Sequence, residues 1–215
     1  MTLVRVGLLA LTSTVMFAAA QPPEAPQRGA QPPVSGGQRG GRGRGAVPVM
    51  TLTTSAWTDG GQIPAKYTQA GGESSPPLAW SNVPDGVVSF VIVAHDVDAA
   101  AGNGTDDVLH WLVWNIPGTA TGLPERVPWG PQQPDGTRQI SATGPNYRGP
   151  GAAAAGPPHH YLFELYALDT VLDVPAVGAT SPPLIRAAVL AAMAGHVRGK
   201  AAFVGLFKRS TQGTV

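Results

Sequence analysis

The stretch V-V-S-F-V-I-V-A-H-D, from Val87 to Asp96, decides the fold of this chain. It is almost continuously apolar and rich in β-branched residues, which predicts a strand buried on both faces. Two aromatic-rich runs farther along, LHWLVWNI from Leu109 to Ile116 and HYLFELYAL from His160 to Leu168, predict two more strands. Turn signals such as Val83-Pro84-Asp85-Gly86 separate these runs, so the sequence predicts a mainly β fold.

The flanking sequence adds two outer strands and one helix to this pattern. The outer strands are predicted at Val49 to Thr54 and at Lys200 to Phe207. The helix is predicted near 182–194, with Ser181 as its N-cap, two prolines in its first turn and Gly195 at its end.

Composition suits one globular domain and excludes some chemistry. Of the 215 residues, 43% are hydrophobic and 13% are charged, which argues against a disordered chain. The chain has no cysteine, so it contains no disulfide, no thiolate metal site and no cysteine nucleophile.

Residues 1–20 are predicted to be a secretory signal peptide. Arg5 supplies a positive charge, Val6 to Phe17 is largely apolar, and Ala18-Ala19-Ala20 matches a cleavage site before Gln21. The apolar stretch is short for a membrane span, so we expect a periplasmic or secreted protein that is not transmembrane.

Residues 21–48 are predicted to be a disordered tail rich in Pro, Gly and Arg. Four arginines against one glutamate give this tail a net charge of +3, while residues 49–215 carry nine basic and twelve acidic residues, a net of −3. We interpret the tail as a solvated linker and expect no nucleic-acid partner; an interaction segment is the alternative. The domain is expected to span 49–215.

Strand periodicity places several polar side chains together. Side chains alternate between faces, so His159 and Tyr161 share a face and His160 points away. The ends of three predicted strands carry polar residues, and if they meet they form a polar cluster on an apolar scaffold, as in ligand pockets. These residues are Asp96, Asp98, His110, His159 and Tyr161.

Several segments, in this order and spacing, resemble the phosphatidylethanolamine-binding protein family, especially its small bacterial members. They are DGGQIPAKYT (59–68), ESSPPLAWSNVP (73–84), SFVIVAHDVDA (89–99), LHWLVWNIP (109–117), GPNYRGP (144–150), HHYLFELYALD (159–169) and GHVRGKAAFVGLFKR (195–209). The resemblance implies a β-sandwich-like domain with a large central antiparallel sheet and few peripheral helices.

The resemblance also implies a pocket that binds phosphate-like anions, including phospholipid head groups. By resemblance, Asp96, His110, His159 and Tyr161 occupy pocket positions, Asp98 belongs to the same strand-end motif, and Gly149-Pro150 shape the adjoining loop. We expect the imidazoles, the Tyr161 hydroxyl and a backbone N–H near Gly149 to donate to an anion, and Asp96 to orient a histidine. Two departures, Val97 and Ala100 in place of family prolines, predict a looser pocket mouth.

The expected function is therefore anion or phosphate-head-group binding, with regulation or inhibition of an extracytoplasmic protein such as a protease as its biological use. The alternative is a metal-assisted or acid–base hydrolase that uses the Asp and His side chains. No hydrolase motif is present, so we predict no catalytic residue, no metal site and no cofactor.

The remaining aromatic, histidine and acidic residues are assigned structural or solvated roles. Four of the five tryptophans, Trp80, Trp111, Trp114 and Trp129, are expected in the core or the pocket wall. His95, His160 and His196 are expected to be structural, and Asp106-Asp107 to be solvated in a Gly/Asn-rich loop.

Overall fold

The buried run at the centre of the sequence becomes the central strand of a six-stranded sheet. The computed structural model describes residues 47–176 and 181–211, so the predicted signal peptide and most of the predicted tail lie outside the described residues. The strands are β1 Thr51–Thr53, β2 Gly61–Gln62, β3 Leu78–Ser81, β4 Ser89–Ala101, β5 Asp106–Pro117, β6 Gly122–Leu123, β7 Arg138–Ile140, β8 His159–Leu168 and β9 Val197–Phe207.

The large sheet has the order β2-β9-β8-β4-β5-β7 and is antiparallel except where β2 pairs with β9. The small sheet, β1-β3-β6, packs against one face of the large one, where Trp80 and Phe90 lie 5.1 Å apart between ring centroids. The predicted β-sandwich with a large central sheet is therefore confirmed.

Burial of β4 on both faces explains its composition. Phe90 and Ile92 belong to the core shared with the small sheet, and Val91 and Val93 belong to a second core on the opposite face. Since alternate side chains enter different cores, an apolar residue is needed at every position.

The second core is covered by the helix α1, Pro182–Ala192. Ile185 and Val189 are its buried residues, and both pack in this core. Ser181 is the N-cap as predicted, although its side chain makes no capping hydrogen bond. Within the described ranges, no helix is long and apolar enough to cross a membrane.

Two structural expectations were wrong. Trp129 belongs to neither core, because 78% of its surface is exposed. Asp106 and Asp107 begin β5 instead of lying in a loop, and the Asp107 carboxylate bonds to other side chains. The Gly/Asn-rich turn that suggested a solvated loop ends just before them.

We predict that Phe163→Ala lowers the free energy of unfolding by about 3–5 kcal/mol, because it removes a buried ring and leaves a cavity. Phe163 is 1% exposed and its ring lies 5.9 Å from Trp57. Urea unfolding measures the change, with Val171→Ala, 59% exposed, as the control expected within about 0.5 kcal/mol of the wild type. A Phe163→Ala loss as small as the control's would contradict this packing.

Candidate functional site

The centre of the candidate site is the carboxylate of Asp96, at the point where β4 leaves the core. Its Oδ1 accepts the backbone N–H groups of Asp98 at 3.1 Å and Ala99 at 3.0 Å. The residue is buried, and these amides compensate for the loss of water around the carboxylate. The local chain therefore holds Asp96 in one orientation.

His159, at the start of β8, is held by this carboxylate. Its Nδ1–H donates to Asp96 Oδ2 at 2.9 Å, and Oδ1 lies 3.1 Å away. No other residue among 47–176 and 181–211 hydrogen-bonds its ring, and its side chain is 30% exposed. Nε2 is thus the ring nitrogen that remains for a ligand.

His110, on β5, is buried and held by backbone. Its Nδ1–H donates to the carbonyl oxygen of Arg148 at 2.8 Å, which fixes the tautomer because a carbonyl can only accept. Burial lowers the pKa of His110 below its usual value, although hydrogen bonding to that carbonyl opposes the shift. The ring is therefore neutral at pH 7, with a lone pair on Nε2.

Tyr161 forms the wall behind these groups. Its ring meets the His110 ring edge-on at 5.0 Å, and its hydroxyl accepts the N–H groups of Gly151 at 3.3 Å and Ala152 at 3.2 Å. Burial, and then the negative charge of Asp96, raise the pKa of Tyr161. Since the hydroxyl accepts two backbone N–H groups of the loop, it holds the loop in place.

Gly149 and Pro150 lie where the loop crosses an earlier segment of the chain. The Gly149 N–H donates to Glu73 Oε1 at 3.2 Å, so it does not face a ligand. A Cβ on Gly149 would come within 2.7 Å of Tyr67 and Thr68 backbone atoms. Glycine is needed here for the close approach of two backbones.

Asp98 lies at the rim, apart from the buried groups. Its Oδ2 accepts the backbone N–H of His160 at 2.6 Å and the Nδ1–H of His160 at 2.8 Å. These bonds lower the pKa of Asp98, and both side chains are exposed. His160 therefore faces away from His159. Strand β4 continues past Val97 to Ala101, although no strand partner in the described ranges is paired with residues 97–100.

Among the central residues of the site only His159 is appreciably exposed, while Asp96, His110 and Tyr161 are buried. Three cavities of about 650, 550 and 520 Å³ lie elsewhere, and none of the three is lined by Asp96, His110 or His159. Within residues 47–176 and 181–211, no group of three or more His, Asp or Glu side chains is arranged to hold a metal ion.

A second ionic cluster, the His95 network, lies on the opposite face of the sheet. The Nδ1–H of His95 donates to Asp107, which also binds the Arg186 guanidinium of α1. His95 Nε2 lies 3.3 Å from Glu164 Oε2, within ion-pair distance but without hydrogen-bond geometry. Glu164 Oε1 in turn contacts Lys200 Nζ at 2.7 Å.

The charges in the His95 network shift one another's pKa values. Burial lowers the pKa of His95, but the Glu164 and Asp107 carboxylates raise it more, and the result is above the usual value. The contact with His95 is the largest cause that lowers the pKa of Glu164, to about 2. The sequence predicted a structural role for His95 but not its acidic partners. The alternation of side chains along β4 and β8, which puts His95 and Glu164 on the same face of the sheet, could have indicated one of them.

Comparisons with known proteins match most of the described chain. The family model described as phosphatidylethanolamine-binding protein matches residues 53–208. A UPF0098 protein of Methanothermobacter thermautotrophicus is 42% identical over 162 residues, covering 74% of this chain and 99% of the relative.

Two crystal structures are also similar. One is a phosphatidylethanolamine-binding protein homolog, CT736 of Chlamydia trachomatis, with a TM-score of 0.63 and 29% identity. The other is Escherichia coli YbcL, described as a member of the mammalian PEBP family, with a TM-score of 0.60 and 26% identity. Each match covers 75% of this chain and 99% of the other chain.

We predict that His95→Gln destabilises the protein most at pH 5.5 and progressively less as the pH rises. A raised folded-state pKa means that the stabilisation is complete below the unfolded value, about 6.5, and is lost as pH rises through the folded value. Urea unfolding of wild type and variant between pH 5.5 and 9.5 measures the difference while the carboxylates stay ionised.

The matched control for this pH series is His160→Gln, which removes an exposed histidine that also pairs with an aspartate. Exposed pairs contribute little, so its effect should be small at every pH. A His95→Gln effect that is constant from pH 5.5 to 9.5 would show that His95 acts by packing alone.

Proposed function

The chain belongs to the phosphatidylethanolamine-binding protein family, and on this premise we propose that it binds a small phosphate-bearing anion at Asp96, His159 and His110. The observation that carries the proposal is the pairing of Asp96 with Nδ1 of His159, which leaves Nε2 of a partly exposed imidazole for the ligand. A phospholipid head group and a free phosphorylated small molecule both offer charged phosphate oxygens, but only a phosphate monoester can also keep a P–OH.

The proton on Nε2 of His159 controls binding in this proposal. Nδ1–H is committed to Asp96, so neutral His159 presents a lone pair at Nε2, and an anion is repelled by it and by the carboxylate behind it. Protonated His159 presents an Nε2–H donor and cancels the charge of Asp96. An anion therefore binds together with a proton.

His110 complements this arrangement from deeper in the site. Its Nδ1–H is committed to Arg148, so the neutral ring offers an acceptor at Nε2. A phosphate monoester that keeps one P–OH can donate to that nitrogen while its charged oxygens accept from His159. The two histidines then favour a protonated phosphate over a fully ionised one.

The proposal is for binding without turnover. The hydroxyl of Tyr161 belongs to a ring that contacts His110, and its oxygen is occupied by two backbone N–H groups. Burial raises its pKa, which opposes formation of a phenolate nucleophile. We propose that ligand occupancy regulates an extracytoplasmic partner such as a protease.

We predict that the affinity for inorganic phosphate and for phosphoethanolamine, both of which can keep one P–OH, increases at least severalfold between pH 8 and pH 6. Binding draws a proton onto His159, so titration calorimetry in buffers of different ionisation enthalpy should show net proton uptake. His159→Ala should abolish the binding, while His160→Ala should retain it, because His160 lies on the rim and faces away. Absence of heat at pH 6, or affinity independent of pH, would contradict the proposal.

We also propose that the protein is exported and cleaved before Gln21, on the strength of Arg5, the apolar stretch to Phe17 and the three alanines that follow. Expression in a bacterial host should give a periplasmic or secreted product whose intact mass corresponds to a chain starting at Gln21. A product retained in the cytoplasm with residues 1–20 attached would contradict export.

A further inference from the structure

Trp129 is exposed, unlike every other tryptophan in the chain. Its surface is 78% exposed, whereas the other four of the five tryptophans are buried: Trp57, Trp80, Trp111 and Trp114. An exposed indole leaves a large apolar surface in water, and such side chains commonly mark interaction sites. Neither the fold nor the proposed anion site uses this ring.

The backbone on both sides of Trp129 is fixed. Nε2 of Gln139, a buried side chain, donates to the carbonyl oxygens of Pro128 at 2.6 Å and Gly130 at 3.0 Å. Oε1 of the same Gln139 accepts from Trp111 Nε1–H at 2.9 Å, which anchors the loop to β5. These hydrogen bonds fix the backbone of the loop 126–131 in a conformation that points the indole into solvent. The exposure of the indole is therefore a property of an ordered loop.

The loop 126–131 adjoins the candidate site. The N–H of Gly130 donates to the Pro145 carbonyl at 3.0 Å. Three residues later, the Arg148 N–H donates to the His110 carbonyl at 2.9 Å, and the Arg148 carbonyl accepts from the His110 ring. The indole thus belongs to the same surface region as the segment that holds His110.

Two arginines of this region form no ion pair within the described part of the chain, although the region also holds the Glu73 carboxylate at the N–H of Gly149. Neither Arg126 nor Arg148 forms an ion pair with any side chain in the described ranges. Glu125, which precedes Arg126, is instead bound by Lys66 and by the hydroxyl of Tyr67. The guanidinium groups are left for an anionic partner, although the domain as a whole is acidic.

We propose that Trp129, with Arg126 and Arg148, anchors the protein to the interface of an anionic lipid bilayer. Indole rings favour the head-group region, where one edge is apolar and the N–H stays wet, and arginines are attracted to anionic lipid phosphates. A stable protein interface needs several apolar anchors. The other large exposed apolar residues lie outside this loop: Val47, Val49, Val88, Val97, Val171, Leu184 and Leu190.

The experiment uses vesicles of phosphatidylethanolamine and phosphatidylglycerol, with phosphatidylcholine vesicles for comparison. The four buried tryptophans also fluoresce, but lipid does not reach them, so a lipid-dependent change in emission reports on Trp129. With the anionic vesicles, the emission should shift to the blue and be quenched by brominated lipid, and both changes should weaken as salt rises from 50 to 500 mM. Neutral vesicles should give at most a small change.

Variants separate this surface from the anion pocket. Trp129→Ala should reduce co-sedimentation with anionic vesicles at least tenfold, and Arg126→Gln should reduce it severalfold. Leu184→Ala, which removes an exposed apolar side chain of α1, is the matched control and should bind as the wild type does. Trp129→Ala should also titrate phosphate like the wild type, so failure of one proposal is distinguishable from failure of the other.

Three outcomes would overturn the proposal. The first is that wild-type protein does not bind anionic vesicles. The second is that the Trp129→Ala variant co-sediments with these vesicles as much as the wild type does. A blue shift that grows with protein concentration in the absence of lipid would place a second copy of the chain on Trp129 instead of a bilayer.

Discussion

A polar side chain on a strand that is buried on both faces needs a hydrogen-bonding or charged partner from a neighbouring element. Strand β4 carries two such side chains in succession, His95 and Asp96. His95 faces α1 and lies between the carboxylates of Asp107 and Glu164. Asp96 faces the other way and is satisfied by His159 and by two backbone N–H groups. The neighbouring strands must therefore present complementary side chains at one level of the sheet, and that level is where the candidate site lies.

The environments on the two faces of the sheet shift the pKa of a histidine in opposite directions. Carboxylates surround His95 and favour its charged form, whereas burial and a carbonyl partner keep His110 neutral. Lowering the pH therefore strengthens the His95 network but works against the environment of His110. On the ligand side the more exposed ring is that of His159, whose Nδ1 is hydrogen-bonded to the Asp96 carboxylate.

Local sequence patterns predicted the strands and the strand-end residues, because side-chain alternation is a short-range property. They did not predict the surroundings of Asp107, because Arg186 is 79 residues away and reaches it only once α1 packs on the sheet. Trp129 was misassigned for a similar reason. Ring size favours burial, but Gln139 fixes the loop backbone so that the indole stays outside. The role of Gly149 was also non-local, because it depends on where residues 67–73 cross the loop.

These contacts indicate which side of the site opens for a ligand. The loop that carries Gly149 is held by Glu73 and by the Tyr161 hydroxyl, so moving it would leave buried polar groups without partners. The opposite side is bordered by the exposed pair of Asp98 and His160, where water can replace any hydrogen bond that breaks. Entry past Asp98 therefore breaks fewer buried hydrogen bonds. The departures at Val97 and Ala100 lie on this same side, so the least constrained border of the site is also the part of the chain that differs from the family pattern.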